Sequence, residues 1–135
     1  MKFEDYLGIH NVLGRYAHVM DNGSRGLRRW QDLGLIFTPD AVFDFTAAGG
    51  GVADGLDAII EVMSGGKHPS GHHFTNPVIE MVDADHVTSL TKLVSIEKNG
   101  QANTGHYFDH IVRTEDGWRI SNRTAVVYFT VPKGG

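Results

Sequence analysis

The chain has 135 residues, a net charge of -4 with neutral histidines, and no cysteine. This length suits a single domain with its own hydrophobic core, so we treat residues 1–135 as one unit. The absence of cysteine excludes disulfides and cysteine-based zinc sites or nucleophiles, and the absence of a basic cluster argues against nucleic acid or a membrane as a partner. The chain shows neither a signal-peptide pattern nor an apolar run that could span a bilayer, so we expect a cytoplasmic protein.

The first half of the chain carries mostly helical signals. Apolar residues recur at three- and four-residue steps in three segments, and each of these segments ends at turn-forming residues or before a proline. A short segment rich in aromatic residues predicts a strand, and the alanines and glycines after it predict a mobile connection. The predicted elements are, in order, helix Phe3–Met20, helix Trp30–Phe37, strand Ala41–Phe45 and helix Leu56–Met63.

The second half predicts a sheet. Four segments with strand composition are separated by short turns of aspartate, asparagine and glycine, which is typical of consecutive antiparallel hairpins. Helices first and long strands afterwards indicate an α+β domain in which the sheet curls around the helices. The predicted strands are His72–Val82, Val87–Glu97, Thr104–Arg113 and Trp118–Tyr128.

The segment Gly71–Pro77 concentrates the groups that acid–base chemistry needs. It is the one stretch where two imidazoles, a side-chain amide and an aromatic ring fall within a few residues of a predicted strand. Successive side chains of a strand point to opposite faces, so one of His72 and His73 faces the interior and the other faces away. We therefore expect one catalytic base at most from this pair.

The order of elements, the motif His72–Asn76 and the motif Asp116–Ile120 resemble the SnoaL-like branch of the nuclear-transport-factor-two-like superfamily. Within it, the segment from His72 through Val87 is most similar to the corresponding strand pair of scytalone dehydratase and hexachlorocyclohexane dehydrochlorinase. The resemblance implies a cone-shaped α+β fold, with N-terminal helices on a strongly curved antiparallel or mixed sheet that encloses an apolar pocket. It also implies a homo-oligomer, a dimer or trimer, formed through the sheet.

The same resemblance implies that four residues of this chain are catalytic. Asp21 matches the carboxylate of the Asp-His dyad of the elimination enzymes, and His72 matches the histidine base. Arg123 matches a pocket arginine of the dehydrochlorinase. Tyr16 stands where related dehydratases carry tyrosine and the dehydrochlorinase carries lysine, which favours dehydration or isomerisation over loss of a halide.

Five further residues are candidates for substrate binding. His73 is expected to face outward unless a bulge near the following proline reverses the strand. Asn76 either orients a substrate or caps the backbone at the interruption of the ladder. His106, Phe108 and His110 share one strand face and either line the pocket or lie at an oligomer interface.

No metal site is expected. The two histidines of that strand, His106 and His110, are four residues apart, which separates them by roughly 13 Å, too far to share one zinc ion. Nothing resembles a phosphate-binding loop, and no cofactor is implied.

The site predicts a cofactor-independent lyase or isomerase acting on a small hydrophobic, cyclic molecule. Dehydratase-like β-elimination or proton transfer would use His72 as the base, Asp21 to orient it, and Tyr16 and Arg123 to stabilise negative charge. Two alternatives remain open: a polyketide cyclase-type aldol catalyst with the same residues, and a non-catalytic protein that binds small molecules with the same fold.

Overall fold

The computed structural model describes residues 1–27 and 29–130. None of the helices in this described part is long and apolar enough to cross a membrane. In chain order the elements are α1 (Phe3–Ser24), a first 3₁₀ helix (Trp30–Leu35), β1 (Phe37–Asp44), a second 3₁₀ helix (Thr46–Ala48), β2 (Val52–Asp54), α2 (Leu56–Gly65), β3 (Gly71–Asp83), β4 (His86–Ile96), β5 (Ala102–Thr114) and β6 (Gly117–Tyr128).

The first helix is longer than predicted. It continues through the expected turn to Ser24, so Asp21 lies inside its last turn instead of following its end. The indole of Trp30 packs so closely on Gly23 that an added Cβ would lie 2.9 Å from the ring. This tertiary contact explains why Asn22 and Gly23, both poor helix formers, remain helical.

The predicted second helix is only partly formed. Trp30–Leu35 is a 3₁₀ helix, and Phe37 instead begins β1, because the carbonyl of Ile36 accepts a hydrogen bond from the backbone N–H of Ile120 in β6. Phe37 then pairs with β6 in parallel. The register shifts between Phe37 and Val42, and this irregularity accommodates Pro39 inside the strand.

The six strands form one mixed sheet in the order β2-β1-β6-β5-β4-β3. The four long strands form the antiparallel hairpins that the sequence predicts, with ends that differ by at most two residues. The third predicted helix is present as α2. The parallel pairing of β1 with β6 and the three-residue strand β2 are features that the sequence pattern did not reveal.

The core lies between the helices and one face of the sheet, which we call the inner face. From α1 this core receives Ile9, Val12, Leu13, Tyr16, Val19 and Met20, all nearly inaccessible to solvent. Gly105 allows β5 and β6 to approach closely, because a Cβ at this position would lie 2.1 Å from the carbonyl oxygen of Val126.

Two bulges decide which side chains reach the inner face. In β6, Ser121 is an extra residue between the pairs His110–Asn122 and Ile111–Ile120. Strict alternation from the buried Ile120 would turn Arg123 outward, but the extra residue turns it inward. A second bulge in β3 contains Asn76, which adopts a φ of 54°.

Candidate active site

Asp21 and His72 form a hydrogen-bonded dyad where α1 meets the start of β3. Oδ1 of Asp21 lies 2.6 Å from Nδ1 of His72. The backbone N–H of His72 also points at the same carboxylate, 3.2 and 3.1 Å from its two oxygens. The two side chains are 17% and 7% exposed, respectively. The two side chains are therefore in direct contact, and the catalytic role of the pair stays a prediction.

The carboxylate of Asp21 is stabilised in its charged form, although it lies in the last turn of α1. A helix C-terminus is unfavourable for negative charge, and partial burial of Asp21 also opposes it. The hydrogen bonds from His72 outweigh burial, with a smaller contribution from Arg25, so the pKa of Asp21 is lowered. Arg25 also donates to the carbonyl of Ser70 at 2.6 Å, which ties the end of α1 to the residue before β3.

This contact fixes the state of the imidazole. An ionised carboxylate can only accept, so the neutral His72 ring carries its hydrogen on Nδ1 and leaves a lone pair on Nε2. Within residues 1–27 and 29–130, Nε2 has no hydrogen-bond partner. His72 is thus arranged to accept a proton through Nε2.

His73 faces away from this site, as alternation predicts. It is exposed, whereas His72 is buried. The expected bulge near Pro77 does occur, but it lies after both histidines and leaves their orientation unchanged. His72 is the member of the pair that faces the interior.

Tyr16 lies at the centre of the inner face, beside the dyad. Its ring makes an edge contact with His72, with ring centres 6.4 Å apart, and stacks on Phe74 at 5.7 Å. Burial raises the pKa of Tyr16 to about 12, although the Arg123 guanidinium opposes the shift. The phenol therefore keeps its proton near neutral pH and is a hydrogen-bond donor next to the base.

Arg123 reaches the same interior and forms a buried ion pair with Asp109. Its Nε and Nη2 donate to the two carboxylate oxygens of Asp109 at 2.7 and 2.9 Å, and both side chains are completely buried. Burial opposes the charged guanidinium, but Asp109 and two nearby tyrosines outweigh it and raise the pKa of Arg123. The charge of Arg123 is thus already matched within the protein.

Tyr107 and Asp109 are inner-face residues that the sequence analysis missed. They lie two residues apart on the same face of β5, and the Tyr107 ring centre lies 4.1 Å from the guanidinium carbon of Arg123. Burial raises the pKa of Tyr107 well above its ordinary value. Direct pairing of Asp109 with Arg123 across β5 and β6 is the signal that identifies this group.

Four proposed substrate-binding residues do not face the dyad. His106, Phe108 and His110 lie on the opposite, outer face of β5, because the residues that point inward are Tyr107 and Asp109. Asn76 is exposed in the bulge of β3 and accepts a hydrogen bond from the Thr75 hydroxyl. None of these four residues therefore lies beside the dyad. For His106, Phe108 and His110 the position on the outer face agrees with the other alternative, an oligomer interface, and His73 faces outward as expected.

Two clefts of about 280 and 380 Å³ lie along α1, and neither is lined by a residue of the dyad. Both are lined by Arg15 and His18. Near His72 aromatic side chains pack around Tyr16, namely Phe37, Phe43, Phe74 and Tyr107. An apolar pocket at His72 remains a prediction. No cluster of three or more metal-binding side chains occurs in the described part of the chain.

Comparison with known proteins identifies the class. Residues 1–124 match the SnoaL-like domain, and the chain belongs to this family. Uncharacterized protein Rv2910c of Mycobacterium tuberculosis is 30% identical over 139 residues, covering 95% of this chain and 88% of that protein.

Two solved structures share the fold, and at their low identities they show the fold alone. One is described as a candidate scytalone dehydratase from Novosphingobium aromaticivorans, with 22% identity, a TM-score of 0.71, and coverage of 92% of this chain and 84% of that one. The other is the hexachlorocyclohexane dehydrochlorinase LinA-type3 from Novosphingobium barchaimii, with 19% identity, a TM-score of 0.74, and coverage of 93% and 88%. The family resemblance and the α+β fold inferred from the sequence are confirmed.

Proposed function

We propose that the protein is a cofactor-independent lyase or isomerase that acts on a small, hydrophobic, cyclic carbonyl compound. The observation that carries this proposal is the 2.6 Å contact between Asp21 and Nδ1 of a buried His72, which leaves Nε2 free. A histidine oriented in this way is a competent general base near neutral pH. Membership of the SnoaL-like family and the two neighbours named above are compatible with such chemistry.

In the elimination, Nε2 of His72 removes a proton from the carbon next to the substrate carbonyl, and the C–H electron pair forms an enolate. The carbonyl then re-forms as the bond between the β-carbon and its hydroxyl breaks and a C=C bond forms. The imidazolium returns its proton to the departing hydroxyl, which leaves as water. In an isomerisation, the same proton returns to a different carbon.

Asp21 supports both steps without touching the substrate. It holds the tautomer that leaves Nε2 free, and it stabilises the imidazolium that exists between the two proton transfers. Tyr16 is buried next to His72 and keeps its proton, so it can donate to an oxygen on which negative charge develops.

Two probes test the chemistry directly. Deuterium incorporation from D₂O into 2-tetralone reports proton abstraction, and conversion of 3-hydroxycyclohexanone to cyclohexenone reports dehydration. We expect the protein to accelerate at least one of them, and we expect His72→Ala to lower the rate by about 100- to 10,000-fold. His73→Ala is the matched control and should keep the rate, because His73 points away from the interior. Equal losses in both variants, or no loss in His72→Ala, would contradict the assignment of the base.

A non-catalytic binding protein is the second candidate. The packed aromatic interior favours it, because neither cleft along α1 reaches His72. This candidate predicts that 2-tetralone binds without deuterium exchange and that His72→Ala binds it with unchanged affinity. Exchange that depends on His72 would reject it.

We also propose that the protein acts in the cytoplasm as a homo-oligomer assembled through the outer face of the sheet. Val78, Leu90 and Phe108 are adjacent across β3, β4 and β5 and are 55%, 46% and 40% exposed. A contiguous exposed apolar row of this kind is typical of an interaction surface. Sedimentation should give a dimer or trimer that Phe108→Lys dissociates; a monomeric wild-type protein would contradict the proposal.

A further inference from the structure

The guanidinium of Arg123 is incompletely satisfied in a fully buried position. Two of its nitrogens bind Asp109, but the third, Nη1, has no hydrogen-bond partner in the described part of the chain. Burying a donor without an acceptor is unfavourable, and almost all buried donors in folded proteins are paired. An unpaired donor on an otherwise well-bonded side chain points to a missing acceptor.

The unpaired nitrogen belongs to the same interior region as the proposed base. The guanidinium carbon lies 4.4 Å from the ring centre of Tyr16. The Tyr16 ring also contacts the ring of His72, with ring centres 6.4 Å apart. Tyr107 lies 4.1 Å from the same carbon. The ring faces stabilise the positive charge, and the guanidinium also acts on the Tyr16 phenol, whose pKa it lowers. The phenol nevertheless makes no hydrogen bond with Nη1, so the hydrogens of Nη1 still have no oxygen acceptor in the described part of the chain.

The net charge of this group restricts the kind of acceptor. Asp109 already neutralises Arg123, and both are buried, so a carboxylate or phosphate at Nη1 would add an uncompensated negative charge to the interior. A carbonyl or hydroxyl oxygen would complete the hydrogen bonding of Nη1 without adding charge. The arrangement therefore favours an uncharged ligand.

We propose that Nη1 of Arg123 binds an uncharged oxygen of the substrate, a carbonyl or hydroxyl, and that the Arg123–Asp109 pair discriminates against anionic analogues. The proposal rests on the proposed function in one respect: the molecule whose oxygen binds Arg123 is taken to be the same substrate that reacts at His72. In this proposal Arg123 contacts the substrate. Asp109 does not contact it, but it holds Arg123 in place and neutralises its charge, and this neutralisation produces the preference for uncharged ligands.

Three ligands with one carbon skeleton test this selectivity: 2-tetralone, the hydrocarbon tetralin and 1,2,3,4-tetrahydro-2-naphthoate. Dissociation constants measured by calorimetry at millimolar ligand should rank the ketone about tenfold tighter than the hydrocarbon, the effect of one buried hydrogen bond. The carboxylate should bind at least as weakly as the hydrocarbon. Equal or tighter binding of the carboxylate by the wild-type protein would overturn the proposal, as would failure of all three to bind.

Variants that remove one carboxylate charge distinguish an effect on ligand selectivity from a general effect on the fold. In Asp109→Asn the cation is no longer balanced, so the ratio of carboxylate to ketone affinity should rise by at least tenfold. Asp85→Asn is the matched control, because Asp85 binds Nε of the exposed Arg113 at 3.0 Å, and its loss should leave the ratio unchanged. A ratio that is unchanged in folded Asp109→Asn would refute the role of the pair.

A double variant covers the case in which Asp109→Asn does not fold. Asp109→Asn combined with Arg123→Met removes both charges, and it should bind ketone and hydrocarbon with similar affinity. A ketone preference that survives in this double variant would overturn the proposal.

The single variant His72→Ala separates this inference from the proposed function. It should abolish deuterium exchange but keep the preference for the ketone, since Arg123 is untouched. Ketone preference in a wild-type protein that shows neither exchange nor dehydration would reject the proposed chemistry alone. Exchange or dehydration without ketone preference would reject this inference alone.

Discussion

Replacing Asp21 by asparagine should inactivate the site while leaving the fold in place. In the native protein, the carboxylate accepts the Nδ1–H of His72 at 2.6 Å and also contacts the backbone N–H of the same residue. Asparagine has one acceptor oxygen, which can retain the backbone contact, and an NH₂ group that then faces Nδ1. The ring would have to accept at Nδ1 and carry its hydrogen on Nε2, where it could no longer take a proton from a substrate.

The expected magnitudes follow from these contacts. Loss of a correctly oriented general base should lower the rate by about 100- to 10,000-fold. Exchanging a hydrogen bond to a charged group for a neutral one should lower the free energy of unfolding by about 1–2 kcal/mol. The first effect is measured by deuterium incorporation into 2-tetralone and the second by urea unfolding.

The chain provides a matched control for this substitution. Asp83 and His86 form a second Asp–His contact, with Oδ1 of Asp83 2.8 Å from Nδ1 of His86, at the exposed turn between β3 and β4. Asp83→Asn should leave the exchange rate and the urea unfolding nearly unchanged, because exposed pairs contribute little to stability. A wild-type rate in Asp21→Asn, or an equal loss in Asp83→Asn, would refute the reasoning.

Three further predictions concern the interior. Tyr16→Phe keeps the ring but removes the donor, so exchange should fall by about 100-fold while unfolding by urea changes little; an unchanged rate would remove Tyr16 from the reaction. Gly105→Ala should destabilise the protein by about 1–3 kcal/mol through the contact with Val126, whereas Gly14→Ala, which has open space in α1, should be neutral or stabilising in the same urea experiment. The lowered pKa of Asp21 means that its charged form stabilises the fold above the unfolded pKa of about 3.9, and this contribution is lost as the pH falls through the native pKa. The stability difference between wild type and Asp21→Asn should therefore shrink below about pH 4; a difference that grows on acidification would contradict it.

The orientation of His72 and the hairpins of the sheet could be predicted from the sequence, because both depend on local signals. Alternation within β3 separated His72 from His73, and the turn residues defined the hairpins closely. The position of Asp21 came from the family resemblance, because no local signal predicts that α1 continues past the turn residues until Trp30 packs on Gly23.

The residues on the inner face of β5 could not be predicted from such local signals. Aromatic residues occur on both of its faces, so composition alone does not show which face is buried. A regular hairpin closing at Thr114 and Gly117 would set Asn122 opposite Asp109, and only the extra residue Ser121 brings Arg123 there. A bulge of this kind reflects three-dimensional packing, so the sequence pattern could not pair Asp109 with Arg123. The pattern also left open whether His106, Phe108 and His110 face the pocket or an oligomer interface.

The state of the His72 ring tests the central claim most directly. Nitrogen-15 NMR of the imidazole identifies which ring nitrogen carries the hydrogen in the neutral form. We predict the hydrogen on Nδ1 and a bare Nε2 in the wild-type protein, and the reverse in Asp21→Asn. A wild-type ring with its hydrogen on Nε2 would contradict the account, because His72 could not then accept a proton from a substrate.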